Sequence, residues 1–166
     1  MDNIELAIQE ALQPIPERAE KEGWVDENPR WTKAVKEAIV EVGKKNEWYT
    51  AANQCETDAG MEWLYDVVWW KYDDKSYMTD VPLVAECEWG NENQIKWDFE
   101  KLLVSRSRYR LMVFQGGSEE LVRRLFDKMR QWIENFHATT AGDRYLFAGL
   151  SVSPKNQFFF DLHVVE

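Results

Sequence analysis

Two glutamates set two residues apart in an otherwise apolar run are the first chemistry in this sequence. In Leu83-Val84-Ala85-Glu86-Cys87-Glu88-Trp89, side chains alternate between the faces of a strand. Val84, Glu86 and Glu88 therefore share one face, and Leu83, Ala85, Cys87 and Trp89 the other. A run this apolar belongs in the middle of a sheet covered on both sides. A carboxylate there costs on the order of several kcal/mol unless it is compensated, and a like charge beside it adds to the cost. A proton, a Lys or Arg, or a divalent cation could compensate. Asp66 interrupts a second apolar run, Leu64-Tyr65-Asp66-Val67-Val68. If the two strands are neighbours, Asp66 stands beside the glutamates. Oxygen-only ligands select Mg²⁺, Mn²⁺ or Ca²⁺ over zinc. A cation there would activate water and polarise a phosphoryl oxygen. The plainer reading puts each acid on a solvent-facing edge or beside an arginine.

The elements that must position these acids follow from periodicity and breakers. Residues 3–12 read as a short helix closed by the Pro14–Pro16 segment, with another turn or two over 16–22 and a linker from Trp24 to Pro29. Residues 30–45 form an amphipathic helix in which Trp31, Ala34, Val35, Ala38, Ile39 and Val42 recur at helical spacing. Strands are expected over 47–52, 62–72, 82–89 and 110–115, with helices over 92–106 and 118–136. Ser118 is placed to cap the second of these helices, with Glu119 and Glu120 in its first turn. Strands over 145–152 and 157–165, joined by a turn at 153–156, form a C-terminal hairpin. The order predicts an α/β protein with a mixed central sheet flanked by helices. Residues 1–29 would be an N-terminal helical extension and 30–166 a single domain.

A strand bearing Asp, a strand bearing Glu-x-Lys or a variant, a helix with a Lys-Leu pair and a further strand make up the core of PD-(D/E)XK nucleases. WLYDVVW at 63–69, LVAECEWGN at 83–91 and WDFEKLL at 97–103 resemble those pieces, over a span from about Arg30 to Gln115. The resemblance implies a restriction-endonuclease-like fold and a nuclease that hydrolyses phosphodiester bonds in DNA with Mg²⁺ or Mn²⁺. It implies that Asp66 and Glu86 are metal ligands, that the carbonyl of Cys87 joins them, and that the helix over 30–45 offers an acid, for which Glu41 lies nearest the apolar stripe. The third motif position, usually Lys, is Glu88, which would hold a second ion or orient the attacking water. Lys101 in the following helix could supply the missing ammonium, or be a solvated helix charge.

Charge bears on the substrate. The chain of 166 residues carries a formal net charge of −10, which opposes non-specific binding to nucleic acid. The acids concentrate in residues 1–100, where 23 Asp/Glu face 10 Lys/Arg, whereas residues 101–166 hold 10 Lys/Arg against 7 Asp/Glu. Arg106, Arg108, Arg123, Arg124 and Lys128 could track a phosphate backbone, or form a solvated helix face. Trp63, Trp69, Trp70, Trp89 and Trp97 could stack on bases or fill the core. Cys55 and Cys87 make no disulfide framework or metal spacing, and a reducing, cytoplasmic setting is expected. His137 and His163 stand alone as ordinary residues, and no organic cofactor or membrane span is expected. Two functions remain open: a metal-dependent nuclease, and a non-catalytic binding or regulatory module of the same fold, alone or as a homodimer.

Overall fold

The computed structural model describes all residues, Met1–Glu166. Three helices come first: α1 (Asn3–Leu12), α2 (Ile15–Glu22) and α3 (Asn28–Lys45). Strands β1 (Tyr49–Ala52), β2 (Val67–Tyr72) and β3 (Met78–Glu88) follow, then α4 (Glu92–Leu103), β4 (Tyr109–Gly116), α5 (Glu119–Glu134), β5 (Arg144–Ser151) and β6 (Gln157–Val164). The helix starts are set by local chemistry. Asp2 and Asn91 each close a capping box with the residue three positions on, Glu5 and Gln94. The Ser118 side chain accepts from the Leu121 N–H, as the sequence predicts.

All six strands join one sheet in chain order. β1, β2 and β3 run as an antiparallel meander, β3, β4 and β5 are parallel, and β6 returns antiparallel beside β5. The parallel strands require crossovers, and α4 and α5 supply them. Two crossovers of the same hand, taken while the sheet advances in one direction, put both helices on one face. That face carries Val84, Met112, Phe114 and Phe147 against Phe99, Leu102, Phe126 and Met129. The opposite face carries Leu83, Ala85, Cys87, Leu111 and Val113, and packs against α1, α2 and α3 through Ile8, Leu12, Trp31, Val35 and Ile39. The fold is thus α/β with a mixed six-stranded sheet between helical layers. No helix is long and apolar enough to cross a membrane.

Two expectations need adjustment. The strand expected over 62–72 starts only at Val67, because Leu64 takes a left-handed backbone (φ 66°) and Trp63 and Tyr65 meet across the kink in an isolated bridge. Asp66 therefore stands at the mouth of β2 rather than within it. The N-terminal helices, expected as an extension, pack into the helical layer. Ile8, Leu12, Ile15, Ala19 and Trp24 are buried in the same core as α3, and the buried Glu5 carboxylate takes two hydrogen bonds from Arg144 on β5, at 2.8 and 2.6 Å.

Candidate functional site

Register brings the acids together. β2 runs antiparallel to β3 with Val67 opposite Ala85, so Asp66, the residue before β2, reaches the end of β3. The entry of β2 and the exit of β3 coincide at one end of the sheet. Asp66 accepts the N–H of Cys87 at 2.8 Å. The N–H and C=O of a strand residue project to the same side, so the Cys87 carbonyl also faces the Asp66 side, where the β2 ladder has ended. Glu86 turns the other way, under α4, as the alternation along β3 requires.

Glu86 is the anomaly of the core: only 2% of its surface is exposed. Lys101 of α4 sits 2.8 Å from its Oε1, yet Oε1 has no partner in hydrogen-bond geometry. The contact is ionic rather than directed. Burial pushes the Glu86 carboxyl up to about 8, against the pull of Lys101 and with a further push from the Asp66 charge. Lys101 also meets Asp98, one helical turn back, at 2.9 Å. Desolvation works against its charge, but Glu86 and Asp98 together hold the ammonium above its ordinary range. Asp66 has its own cation. Lys36 of α3, a buried lysine, reaches it at 2.6 Å and Glu62 at 3.4 Å. Desolvation opposes the Lys36 charge, and the bond to Asp66 outweighs it, so the ammonium is held above its ordinary range.

Glu88, half-buried at the end of β3, bends back to accept the N–H of Gly90 at 2.6 Å. A Cβ at position 90 would lie 2.8 Å from that carboxylate oxygen and 2.4 Å from Gln94 Oε1, so a side chain there would displace both of these side-chain ends. Burial, with Asp98 nearby, raises the Glu88 carboxyl despite the Gly90 bond. Cys87 is buried against the α3 layer, and burial lifts its thiol well above the ordinary value, which leaves it a poor nucleophile.

The donor chemistry suits a hard cation in part. No three His, Cys, Asp or Glu side chains converge on one point. What the fold does provide is two carboxylates, Asp66 and Glu86, at the same end of adjacent strands, the Cys87 main chain beside Asp66, and a buried Glu86 oxygen with only the Lys101 ammonium beside it. One or two carboxylates with several retained waters is the usual holding of Mg²⁺, so these residues fit such an ion.

The remaining predicted residues divide. Glu41 is not brought to the acids: it is exposed, pairs with Lys44 at 3.4 Å, and lines a cavity with Ala11, Pro14 and Ile15. Helix α3 sends Lys36 instead. Arg123 is bonded to Glu119 at 2.8 and 2.7 Å, and Arg124 and Lys128 both pair with Glu92. Arg106 and Arg108 lie at or before the start of β4, toward the other end of the sheet from Glu88. Sequence reasoning missed Lys36, Glu62 and Asp98. Asp98 had a signal, three residues before Lys101 inside the quoted WDFEKLL. Lys36 had a weaker one, three and four residues before the apolar Ile39 and Val40 on one helix face. Of the aromatic residues, Trp69 and Trp70 are buried in the two cores, Trp97 is exposed, and Trp63 is partly open. No protein-family model, curated protein or solved structure matches this chain.

Proposed function

We propose that the chain is a Mg²⁺- or Mn²⁺-dependent nuclease of the restriction-endonuclease-like kind, hydrolysing phosphodiester bonds in DNA at Asp66, Glu86 and Glu88. The observation that carries this reading is the placement of Asp66 beside the buried Glu86, whose Oε1 lacks a directed partner, at the mouth of the sheet. The helix–strand–strand–strand–helix–strand order from α3 to β4 supports it, as does an ammonium on the following helix where the strand motif lacks one. Two free cysteines agree with a cytoplasmic setting.

In this reading Asp66, Glu86 and the Cys87 carbonyl hold the cation, which when bound acidifies water and polarises a phosphoryl oxygen. Lys36 holds Asp66 turned toward the β3 exit. Lys101 shields Glu86 and, released from it, would be free to neutralise a phosphate oxygen. Glu88, anchored on Gly90, orients the attacking water. Asp98 holds Lys101 within reach of both groups.

A second reading has its own support. Asp66 and Glu86 each already face an ammonium, and Arg123, Arg124 and Lys128 are engaged in ion pairs. A site neutralised from within suits a non-catalytic binding or regulatory module. Cleavage of single- and double-stranded DNA with Mg²⁺ or Mn²⁺ decides between them. The nuclease reading expects cleavage by the wild type and none by Asp66→Asn or Glu86→Gln. Wild-type protein without cleavage under any of these conditions, or variants that cut equally well, would favour the module.

A further inference from the structure

Two cavities adjoin on the α4 side of the sheet, and their linings differ in chemistry. One, of about 380 Å³, is walled by Trp63, Leu64, Tyr65, Val68, Met78 and Val84. The other, of about 710 Å³, holds Arg106, Arg108 and Arg110. Asp80, Ser105, Arg106 and Ser107 line both, so the two share a wall. Val84 lies two residues before Glu86 on the same face of β3, which puts the apolar half next to the carboxylates.

The basic half contains donors that nothing in the protein uses. Ser107 is 3% exposed and its hydroxyl has no partner. Arg110 is 5% exposed. Its Nε and Nη2 are bound to Ser105, Nη2 lies 3.2 Å from Asp143, and Nη1 is left without a partner. A buried donor without an acceptor is costly, and two of them in one cavity mark a place for an external oxygen. Arg106 is exposed and has no acidic partner, and Arg108 pairs with Asp2 at 3.7 Å and lies over the Tyr109 ring. Three arginines against Asp80 and Asp143 leave the cavity cationic in a chain of net charge −10.

The apolar half is shaped for a flat ring. Trp63 meets Trp70 edge-on with ring centroids 5.6 Å apart, which fixes its indole while it remains 37% exposed. Leu64, 76% exposed and held with a left-handed backbone, projects at its rim. Keeping a leucine in that conformation and in water costs free energy that an occupant would offset.

We propose that these two adjoining cavities together bind one unstacked nucleotide, with the base against Trp63 and Tyr65 and the phosphate on Arg106, Arg110 and Ser107. Aromatic and arginine groups of this kind recognise single-stranded nucleic acid through stacking and phosphate contact. A paired base within a duplex presents no free face to such a ring. The site would therefore give the proposed nuclease a preference for single strands or frayed ends, and it deepens that reading without depending on catalysis.

Tryptophan fluorescence of the whole chain tests it, titrated separately with a 12-nucleotide oligothymidylate, the matching duplex, thymidine 5′-monophosphate and inorganic phosphate. Saturable binding of the single strand is expected, weakened about tenfold or more by Arg106→Ala and by Trp63→Ala, and at least tenfold weaker for the duplex. Glu86→Gln should keep this binding even where it stops cleavage, which separates failure of the nucleotide site from failure of the nuclease. Thymidine monophosphate bound as tightly as the oligonucleotide, and weakened by both substitutions, would make the ligand a free nucleotide and still support the site. Duplex binding equal to single-strand binding, oligonucleotide binding that ignores Trp63→Ala, or no binding by a folded wild type would overturn it. Ser107→Ala, which removes the unpaired hydroxyl itself, should also weaken single-strand binding and serves as a second variant if Trp63→Ala disturbs the fold.

Discussion

Replacing Glu86 by Gln should remove a pH dependence of stability that the wild type carries. The wild-type carboxyl is 2% exposed, lacks a directed hydrogen bond and is pushed up to about 8. In the unfolded chain it titrates as an ordinary glutamate, near about 4.3. Between those two values the folded state binds the extra proton, so stability is fully present below the unfolded value and is lost as the pH rises toward 8. One proton contributes about 1.4 kcal/mol per pH unit. From about pH 5.5 to about pH 8 the wild type should therefore lose about 3 kcal/mol through this one group. Gln resembles the protonated acid in shape and cannot titrate. The advantage of the variant over the wild type should grow by about 3 kcal/mol between about pH 5.5 and about pH 8. Urea unfolding of both proteins at the two pH values measures it, and other titrating groups cancel in the comparison. Parallel pH profiles, or a variant less stable than the wild type at pH 8, would refute a Glu86 carboxyl whose burial outweighs the pull of Lys101.

Three further outcomes follow from single contacts. Arg144→Met leaves Glu5, 1% exposed, without its two hydrogen bonds, and should cost about 3–5 kcal/mol in urea unfolding; a loss below 1 kcal/mol would mean that α1 is not integral to the fold. Lys36→Met strands Asp66 beside the Cys87 amide. It should cost about 2–3 kcal/mol, toward the low side because Asp66 is partly open to water, and Asp66→Asn in the same chain should recover most of that. Gly43→Ala would set a Cβ 2.6 Å from Nε1 of the fully buried Trp69, and a drop of about 1–3 kcal/mol is expected. Unchanged stability there would show that Trp69 has room to move.

Patterns local to one element were legible in the sequence. The two faces of β3 followed from alternation alone, and Leu83, Ala85 and Cys87 do lie on the α3 side with Val84 on the α4 side. The α5 cap followed from Ser118, and the C-terminal hairpin from two apolar runs about a short turn. Features that depend on backbone exceptions or distant contacts were not legible. A left-handed Leu64 has no composition signature, so the strand entry was placed too early. The Glu5–Arg144 bond joins residues 139 apart, and nothing near either one announces it, so α1 and α2 read as an extension. In the site, the acids stood out because a carboxylate in an apolar strand is unusual. Lys36 did not, because a lysine on an amphipathic helix is ordinary until the fold buries it. Glu41 was chosen for its nearness to the apolar stripe, whereas α3 turns that residue away from the sheet mouth toward α1 and α2.

The most direct test of the proposed centre is calorimetric titration of Mn²⁺ into the wild-type protein and into Asp66→Asn. A cation held by Asp66, Glu86 and the Cys87 carbonyl predicts saturable binding by the wild type that is lost in the variant while the fold persists. No heat of binding from the wild type, or equal binding by both proteins, would contradict a metal site at the mouth of this sheet.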